Sequence, residues 1–204
     1  MHLVDQRILG IGVLCLLAVM VVVKRLATGS ILDKPTGNFI IQSVNIFNLF
    51  FLLVVNPLVA IALIVRGLDT LDPTHIHILE SRPLMALEIA GLILYVAGFL
   101  LMGWALITLS RNYQLGGSTP RAEDSFVVQG PYRWIRHPMY AAALSIAFGL
   151  ACLVQSLASL VVFFVYLVLI LFLIPLEEAR LLQAYDRAYA EYRKRVSRLI
   201  PFVF

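Results

Sequence analysis

Long apolar tracts separated by short polar stretches dominate this chain. Three of them lie in its first half, at residues 8–23, 39–65 and 84–109. A membrane-spanning helix needs ~20 predominantly apolar residues, so each tract is predicted to cross a membrane once. We interpret the first tract as an anchor and not as a cleaved signal peptide, because the basic residues Lys24 and Arg25 directly follow it.

A fourth apolar tract, residues 140–175, is too long for one span and is predicted to form two short ones. Gln155 and Ser156 interrupt it near the middle, where a tight turn between two helices is the simplest arrangement. Such a helical hairpin would bring His137, just before its start, beside Glu177, just after its end.

From residue 177 onward, apolar and aromatic side chains recur at helical spacing. The members of this stripe are Leu181, Tyr185, Tyr189, Tyr192 and Val196. Most basic residues of the tail lie off the stripe, so the tail is predicted to be an amphipathic helix that lies on an anionic membrane surface and caps the bundle. The predicted fold is therefore all-α: a polytopic membrane helix bundle of about five spans, including a short helical hairpin, plus a C-terminal amphipathic helix.

Composition supports this fold and predicts its orientation. With 61% hydrophobic and 14% charged residues, the chain lies outside the range of soluble domains. With five spans, the loops on one side contain 3 Lys and Arg residues and those on the other side contain 13. The positive-inside rule predicts that the richer side, which includes residues 110–139 and the tail, is cytoplasmic. The net charge of +4 then reflects topology, and no nucleic-acid partner is expected.

Neither the cysteines nor the histidines of the first half predict a metal site. Cys15 and Cys152 both lie inside apolar tracts, where a cysteine behaves as a small buried hydrophobe. His75 and His77 are one residue apart, but no carboxylate or cysteine lies at a convincing ligand spacing from them. We therefore expect the two histidines to be solvated loop residues.

A few polar residues interrupt the second and third spans. Gln42, Asn45 and Asn48 recur every three residues and therefore share one face of a helix. Hydrogen bonding between helices is the favoured interpretation, and a polar path through the membrane is the alternative. Glu88, near the start of the third span, could either contact a substrate or reach the membrane interface.

The densest polar stretch precedes the hairpin and reads GPYRWIRHPMY at residues 130–140. Pro138 disfavours a helical conformation at His137 and suits the first turn of a helix, so a helix should begin there. Its N-terminal dipole would point towards Arg136 and His137, which predicts an anion site. Interfacial anchoring is the alternative interpretation of isolated arginine and tyrosine residues beside a span.

Together with two later blocks, this stretch resembles the isoprenylcysteine carboxyl methyltransferase and phospholipid methyltransferase superfamily of membrane enzymes. The shared pattern is R-H-P-x-Y at 136–140, E-E-x-x-L at 177–181, and a tyrosine-rich basic tail ending at Pro201. The resemblance implies S-adenosylmethionine as cofactor and a lipophilic small molecule or lipid as methyl acceptor. It divides the chain into N-terminal spans at 1–109 and a catalytic region at 110–204.

The resemblance also implies roles for single residues. The implied cofactor-binding residues are Asp124, Ser125, Phe126, Val127, Tyr132, His137, Pro138, Met139, Tyr140 and Glu177. The implied catalytic residues are Arg136, His137, Glu177 and Glu178. Leu173 is a departure, because relatives that methylate a prenylcysteine carboxylate tend to carry arginine at that position. This departure favours a lipid amine, thiol or phenol as acceptor.

The leading functional hypothesis is S-adenosylmethionine-dependent methyl transfer to a lipophilic acceptor at the cytoplasmic membrane face. One alternative is a nicotinamide-dependent membrane reductase related to sterol reductases. Sterol reductases have a similar C-terminal architecture but usually have more spans. The other is a non-enzymatic small membrane protein that binds or transports a ligand along the polar face of the second span.

Overall fold

The computed structural model describes residues 5–32, 39–68, 72–76, 81–113 and 126–201. Within these ranges the main helices are α1 (Gln6–Thr28), α2 (Phe39–Phe50), α3 (Asn56–Ile64), α4 (Ser81–Leu109), α5 (Pro138–Val154) and α6 (Leu157–Arg195). A π-helical turn, Phe51–Val55, joins α2 to α3, and short 3-10 turns lie at Ser110–Asn112 and Gly130–Arg133. The predicted all-α bundle is confirmed.

Membrane-length apolar helices account for most of the described chain. Four segments are long and apolar enough to cross a membrane: Gln6–Thr28, Phe39–Ile64, Arg82–Asn112 and Leu157–Arg195. Helix α5 is shorter, at 17 residues, which is at the lower end of the spanning range. The three N-terminal spans therefore lie where the apolar tracts predict them.

The turn of the α5–α6 hairpin lies at the predicted position. Gln155 ends α5 in the left-handed conformation, with φ 51° and ψ 44°. Ser156 then begins α6 by accepting a hydrogen bond from the Ser159 amide through its side-chain oxygen at 3.1 Å. A helix-ending residue followed directly by a capping serine makes a tight reversal.

Small residues allow α4 and α5 to pack very closely. A Cβ at Gly98 would lie 2.9 Å from the Ala142 carbonyl oxygen, and one at Gly149 would lie 2.6 Å from the Tyr95 amide nitrogen. Only glycine permits such a close approach between helix backbones in a membrane protein. The position of α5, and of the residues at its start, is therefore fixed against α4.

A buried asparagine connects the second span to α4. Pro57 cannot donate a backbone hydrogen bond, and the preceding turn widens to π geometry. The Asn56 side chain donates to the Phe51 carbonyl at 2.8 Å and accepts from the Tyr95 hydroxyl at 2.8 Å. Every polar atom in apolar surroundings needs such a partner, so these bonds fix the second span against α4.

Helix α6 is longer than the second helix of the predicted hairpin. The sequence predicts a separate amphipathic tail, whereas α6 continues past Pro175 and includes this tail up to Arg195. Asp186 interrupts its helical backbone, with φ 42° and ψ −119°. The tail therefore changes direction at Asp186.

The segment after α6 returns to the start of α5. Ile135 and Ser197 form an isolated parallel bridge. The Arg136 amide donates to the Ser197 carbonyl at 2.8 Å, and the His137 amide donates to the Arg198 carbonyl at 3.1 Å. The C-terminal segment thus holds the backbone of the stretch that the sequence singles out.

Candidate active site

His137 immediately precedes α5 and lies where the blocks at 136–140 and 177–181 meet the C-terminal segment. Its side chain is nearly buried, with Nε2 3.2 Å from Glu178 Oε1 and Nδ1 3.7 Å from Glu177 Oε2. Its ring stacks on Tyr140, with centroids 5.5 Å apart and planes 16° apart. The hairpin therefore brings the R-H-P-x-Y and E-E-x-x-L blocks into direct contact, as predicted.

Glu178 is a buried carboxylate surrounded by cationic groups. Arg136 donates to Glu178 Oε1 from Nε at 2.8 Å, and its Nη2 also lies 2.8 Å from that oxygen. Arg198 Nε lies 3.7 Å from Oε1, and Arg193 Nη1 lies 4.0 Å from Oε2. These cationic groups compensate for the burial of the Glu178 carboxylate.

Glu177 differs from its neighbour in both exposure and contacts. The Tyr140 hydroxyl donates to Glu177 Oε2 at 2.6 Å. The Glu177 side chain is 22% exposed, compared with 4% for Glu178, and it lines a cavity. Since successive residues of a helix point about 100° apart, one acid faces the cavity and the other faces the cationic groups behind it.

The cavity has a volume of about 400 Å³ and extends from the polar cluster into the bundle. Its polar end is lined by Tyr132, Arg136, His137, Tyr140 and Glu177. Its apolar lobe is lined by side chains of the first three spans, including Leu17, Val21, Leu49, Leu52, Met102 and Leu106. A mostly apolar cavity with a few converging polar groups is the usual form of a small-molecule site.

Aromatic rings of the tail form another wall of the cavity. Phe126 stacks on Tyr185 with centroids 5.1 Å apart, and it makes edge contacts with Tyr189 at 5.8 Å and Tyr192 at 5.3 Å. The Tyr192 hydroxyl donates to the Tyr132 carbonyl at 2.6 Å. The tail was predicted to lie on an anionic membrane surface and to cap the bundle, and its tyrosine stripe faces the cavity.

Most residues implied by the resemblance meet at this cavity. Its lining includes Phe126, Val127, Tyr132, Arg136, His137, Pro138, Met139, Tyr140 and Glu177. Glu178 is absent from this lining and contacts the site through Arg136 and His137. Asp124 and Ser125 lie outside the described residues.

The predicted anion site at the start of α5 is only partly present. The His137 carbonyl accepts hydrogen bonds from the amides of Tyr140 and Ala141, both at 3.1 Å. Arg136 is engaged by Glu178 and also donates to the carbonyls of Arg193 and Val196. The helix dipole remains, but most of the donors that would bind an anion are used within the protein.

Some cavity residues are not among those that the resemblance implies. Lys24 lines the cavity and lies over the Tyr113 ring, with its Nζ 5.2 Å from the centroid. Asn45 and Asn48 also line it, although Asn48 Oδ1 accepts a hydrogen bond from the Tyr166 hydroxyl at 2.8 Å. Spacing identified the asparagines as one helix face, but no sequence signal indicated that Lys24 turns inwards.

Glu88, Leu173 and His75 lie away from the cavity lining. Glu88 is buried and accepts from Gln155 Nε2 at 3.5 Å, near the hairpin turn. Leu173 is fully buried against α2, in a cluster with Ile41. His75 Nδ1 lies 2.9 Å from the Val154 carbonyl, and His77 lies outside the described residues.

This arrangement of membrane helices is that of an intramembrane methyltransferase fold. The chain matches the structure of the eukaryotic intramembrane Ras methyltransferase, an isoprenylcysteine carboxyl methyltransferase, with a TM-score of 0.52 and 19% identity. The match covers 79% of this chain and 74% of that one. The phospholipid methyltransferase family model matches residues 87–188, and the chain belongs to this family.

Plant proteins are also similar in sequence. Protein-S-isoprenylcysteine O-methyltransferase B of Arabidopsis thaliana is 34% identical over 116 residues, which cover 55% of this chain and 58% of that protein. A probable protein-S-isoprenylcysteine O-methyltransferase of Oryza sativa subsp. indica is 31% identical over 128 residues, covering 61% and 66%. The chain thus spans less than two thirds of the length of these curated relatives.

Proposed function

We propose that this protein transfers a methyl group from S-adenosylmethionine to a lipophilic acceptor at the cytoplasmic membrane face. The observation that carries the proposal is that one cavity joins the polar cluster around Glu177 to an apolar lobe inside the bundle. Membership of the phospholipid methyltransferase family supports the same reaction class. On this proposal, residues 110–204 provide most of the cofactor-binding groups and residues 1–109 most of the acceptor lobe.

The residues present fit an S-adenosylmethionine molecule. Glu177 faces the cavity as a carboxylate acceptor, which suits the cofactor's ammonium group. The Phe126 and Tyr185 rings offer flat apolar surfaces for its adenine. When bound, the cofactor supplies an electrophilic methyl group on a positively charged sulfur.

The protein contributes mainly by holding groups in position and excluding water. The Tyr140 hydroxyl fixes the orientation of Glu177 through a 2.6 Å hydrogen bond. His137 stacks on Tyr140 and bonds to Glu178, so the wall of the site is tied to the cationic groups behind it. Methyl transfer requires in-line approach in a water-poor site, and a rigid wall beside an apolar lobe provides these conditions.

We propose that the acceptor reaches the apolar lobe sideways from the bilayer. The lobe is formed by α1, the second span and α4, all of which are apolar membrane-length helices. The plant relatives are named for an isoprenylcysteine acceptor, which adds weight to a prenylcysteine carboxylate. Leu173 packs against α2 and does not line the cavity, so its identity leaves both acceptor classes open.

Methyl transfer in reconstituted membranes tests the proposal directly. Bilayers containing the purified protein would be incubated with methyl-labelled S-adenosylmethionine and either a prenylcysteine or a mixed lipid extract. We expect label in the organic extract with wild type and a loss of at least about 10-fold with Glu177→Gln, since a charge-assisted contact contributes ~1.5–3 kcal/mol. Glu191→Gln is the matched control, because Glu191 is an exposed acid on the same helix.

The form of the labelled product distinguishes the acceptors. A base-labile methyl ester identifies a carboxylate, whereas base-stable label in lipid identifies an amine, thiol or phenol. Label confined to water-soluble products would contradict a lipophilic acceptor. Thermal stabilisation by NADPH, without stabilisation by S-adenosylhomocysteine, would instead support the reductase alternative.

A further inference from the structure

Two adjacent basic residues near the end of α1 face different surroundings. Lys24 is partly buried and lines the cavity, whereas Arg25 is exposed and absent from the lining. Interfacial anchoring explains basic residues beside a span, but an anchor contacts lipid headgroups and needs no cavity. Anchoring therefore accounts for Arg25 and leaves the inward position of Lys24 unexplained.

Contacts on two sides hold the Lys24 ammonium at the cavity wall. Its Nζ donates to the Ser30 carbonyl at 3.3 Å and lies 5.2 Å from the centroid of the Tyr113 ring. Tyr113 also lines the cavity and directly follows the 3-10 turn at Ser110–Asn112. A cation over an aromatic face is stabilised while it keeps its charge, so Lys24 presents a positive group to the cavity.

The face of α1 that leads to Lys24 is apolar. The cavity lining includes Leu17, Met20, Val21 and Lys24, whose i, i+3, i+4 and i+7 spacing places them on one side of the helix. Seven positions of helix correspond to ~10 Å. This face therefore offers an apolar stretch that ends in a cation, which matches a lipophilic chain that ends in an anionic group.

The charged residues of the cavity differ in what they contact. In the described lining, the lysine, arginine and acidic residues are Lys24, Arg136 and Glu177. Arg136 bonds to Glu178 and to two backbone carbonyls of the tail. Glu177 is the carboxylate that the proposed function assigns to the cofactor's ammonium. Lys24 is then the cation beside the acceptor lobe, and a charge within a membrane bundle commonly marks a ligand site.

Tyr113 connects Lys24 to the polar end of the cavity. Its phenol interacts electrostatically with those of Tyr132 and Tyr140, and Tyr140 donates to Glu177 at 2.6 Å. An anionic group beside Lys24 would therefore lie towards the polar end while its chain occupies the apolar lobe. This orientation brings the head of a lipophilic acceptor towards the methyl donor.

We infer that the Lys24 ammonium binds an anionic group, a carboxylate or a phosphate, on the lipophilic acceptor and so acts as a specificity-determining residue. The inference rests on the proposed function and names a substrate class for it. Lys24 belongs to the first span, outside the region that provides most cofactor-binding groups. The protein thus uses an acid for the cofactor and a cation from a different helix for the acceptor.

Binding measurements with matched ligands test the assignment. Two pairs differ only in the anion: an N-acetylated S-farnesylcysteine with its carboxamide, and farnesyl phosphate with farnesol. In lipid nanodiscs, wild type should bind the anionic member of at least one pair roughly 10-fold more tightly than the neutral member, as measured by ligand-induced thermal shift. The pair that shows the preference identifies the anion as a carboxylate or a phosphate.

Variants assign this preference to one side chain. Lys24→Met should abolish it by weakening the anionic ligands to the affinity of the neutral ones, and Lys24→Arg, which keeps the charge, should retain most of it. Arg25→Met removes the adjacent charge outside the cavity lining and should behave as wild type. Equal affinities within both pairs in wild type would overturn the inference. A preference that survives in Lys24→Met, or that Arg25→Met loses equally, would also overturn it.

S-adenosylhomocysteine separates this inference from the proposed function. Lys24→Met should leave its binding unchanged, because the cofactor's ammonium is assigned to Glu177. Binding of S-adenosylhomocysteine without any anion preference would overturn the inference and leave the proposed function intact. An anion preference without S-adenosylhomocysteine binding would instead overturn the proposed function and leave Lys24 as an anion site.

Discussion

The two ends of the α5–α6 hairpin contain similar residues but differ in what their polar groups bind. At the turn end, His75 contacts the Val154 carbonyl, Gln155 donates to Glu88, and the Asp72 carboxylate accepts from both the amide and the hydroxyl of Thr74. These groups satisfy one another and lie outside the cavity lining. The described groups of the turn end therefore hydrogen-bond within the protein and do not face the cavity.

At the opposite end, a histidine and two acids also lie together, but the cluster opens into the cavity. Glu178 is enclosed by cationic groups, whereas Glu177 faces the cavity. The comparison shows that buried polar residues alone do not identify a functional site. A cavity beside them provides the distinction.

The two ends should differ most in the loss of unfolding free energy when the buried acid at each end is neutralised. Glu178→Gln leaves the charge of Arg136 buried without a counterion, and breaking such a pair costs roughly 3–5 kcal/mol. Glu88→Gln should cost only about 1 kcal/mol, because its amide oxygen can still accept from Gln155. Denaturant unfolding in detergent measures both, and equal losses would contradict the distinct role of Glu178.

Substitution of His137 should weaken ligand binding, whereas substitution of His75 should lower stability. His137→Gln should weaken S-adenosylhomocysteine binding roughly 10-fold, because the ring that positions Tyr140 and Glu177 is lost. His75→Gln should cost about 1 kcal/mol of stability through the bond to Val154 and leave ligand affinity unchanged. Ligand-induced thermal shift provides the readout, and a weakened affinity in His75→Gln would show that the two ends are coupled.

The smallest expected effect concerns two residues with positive φ. Asp186 has φ 42° and ψ −119°, close to a turn conformation that glycine dominates, whereas Gln155 lies in the ordinary left-handed region. Asp186→Gly should therefore raise stability by about 1 kcal/mol, because relief of strain exceeds the entropy cost. Ala184→Gly, on the exposed helical surface beside it, should lower stability by about 1 kcal/mol. A loss in both variants would show that Asp186 is unstrained.

Hydrophobic patterning determined the larger part of the fold. The spans at 8–23, 39–65 and 84–109 each correspond to an apolar helical segment, and the hairpin turns at Gln155. These features are local, because the length of an apolar tract and the residues that interrupt it decide where a membrane helix begins and ends. The pairing of the blocks at 136–140 and 177–181 then followed from the hairpin.

Tertiary packing decided which side of each helix faces the cavity. In a membrane, an apolar residue can face lipid or protein, so sequence periodicity does not specify the inner face. Leu173 therefore packs against α2, the stripe containing Tyr189 faces inwards, and the adjacent acids Glu177 and Glu178 face different surroundings. The sequence by itself determined the helices and the residue types of the site. The folding of the tail over the bundle determined which of those residues line the cavity, because contacts between distant segments fix helix rotation.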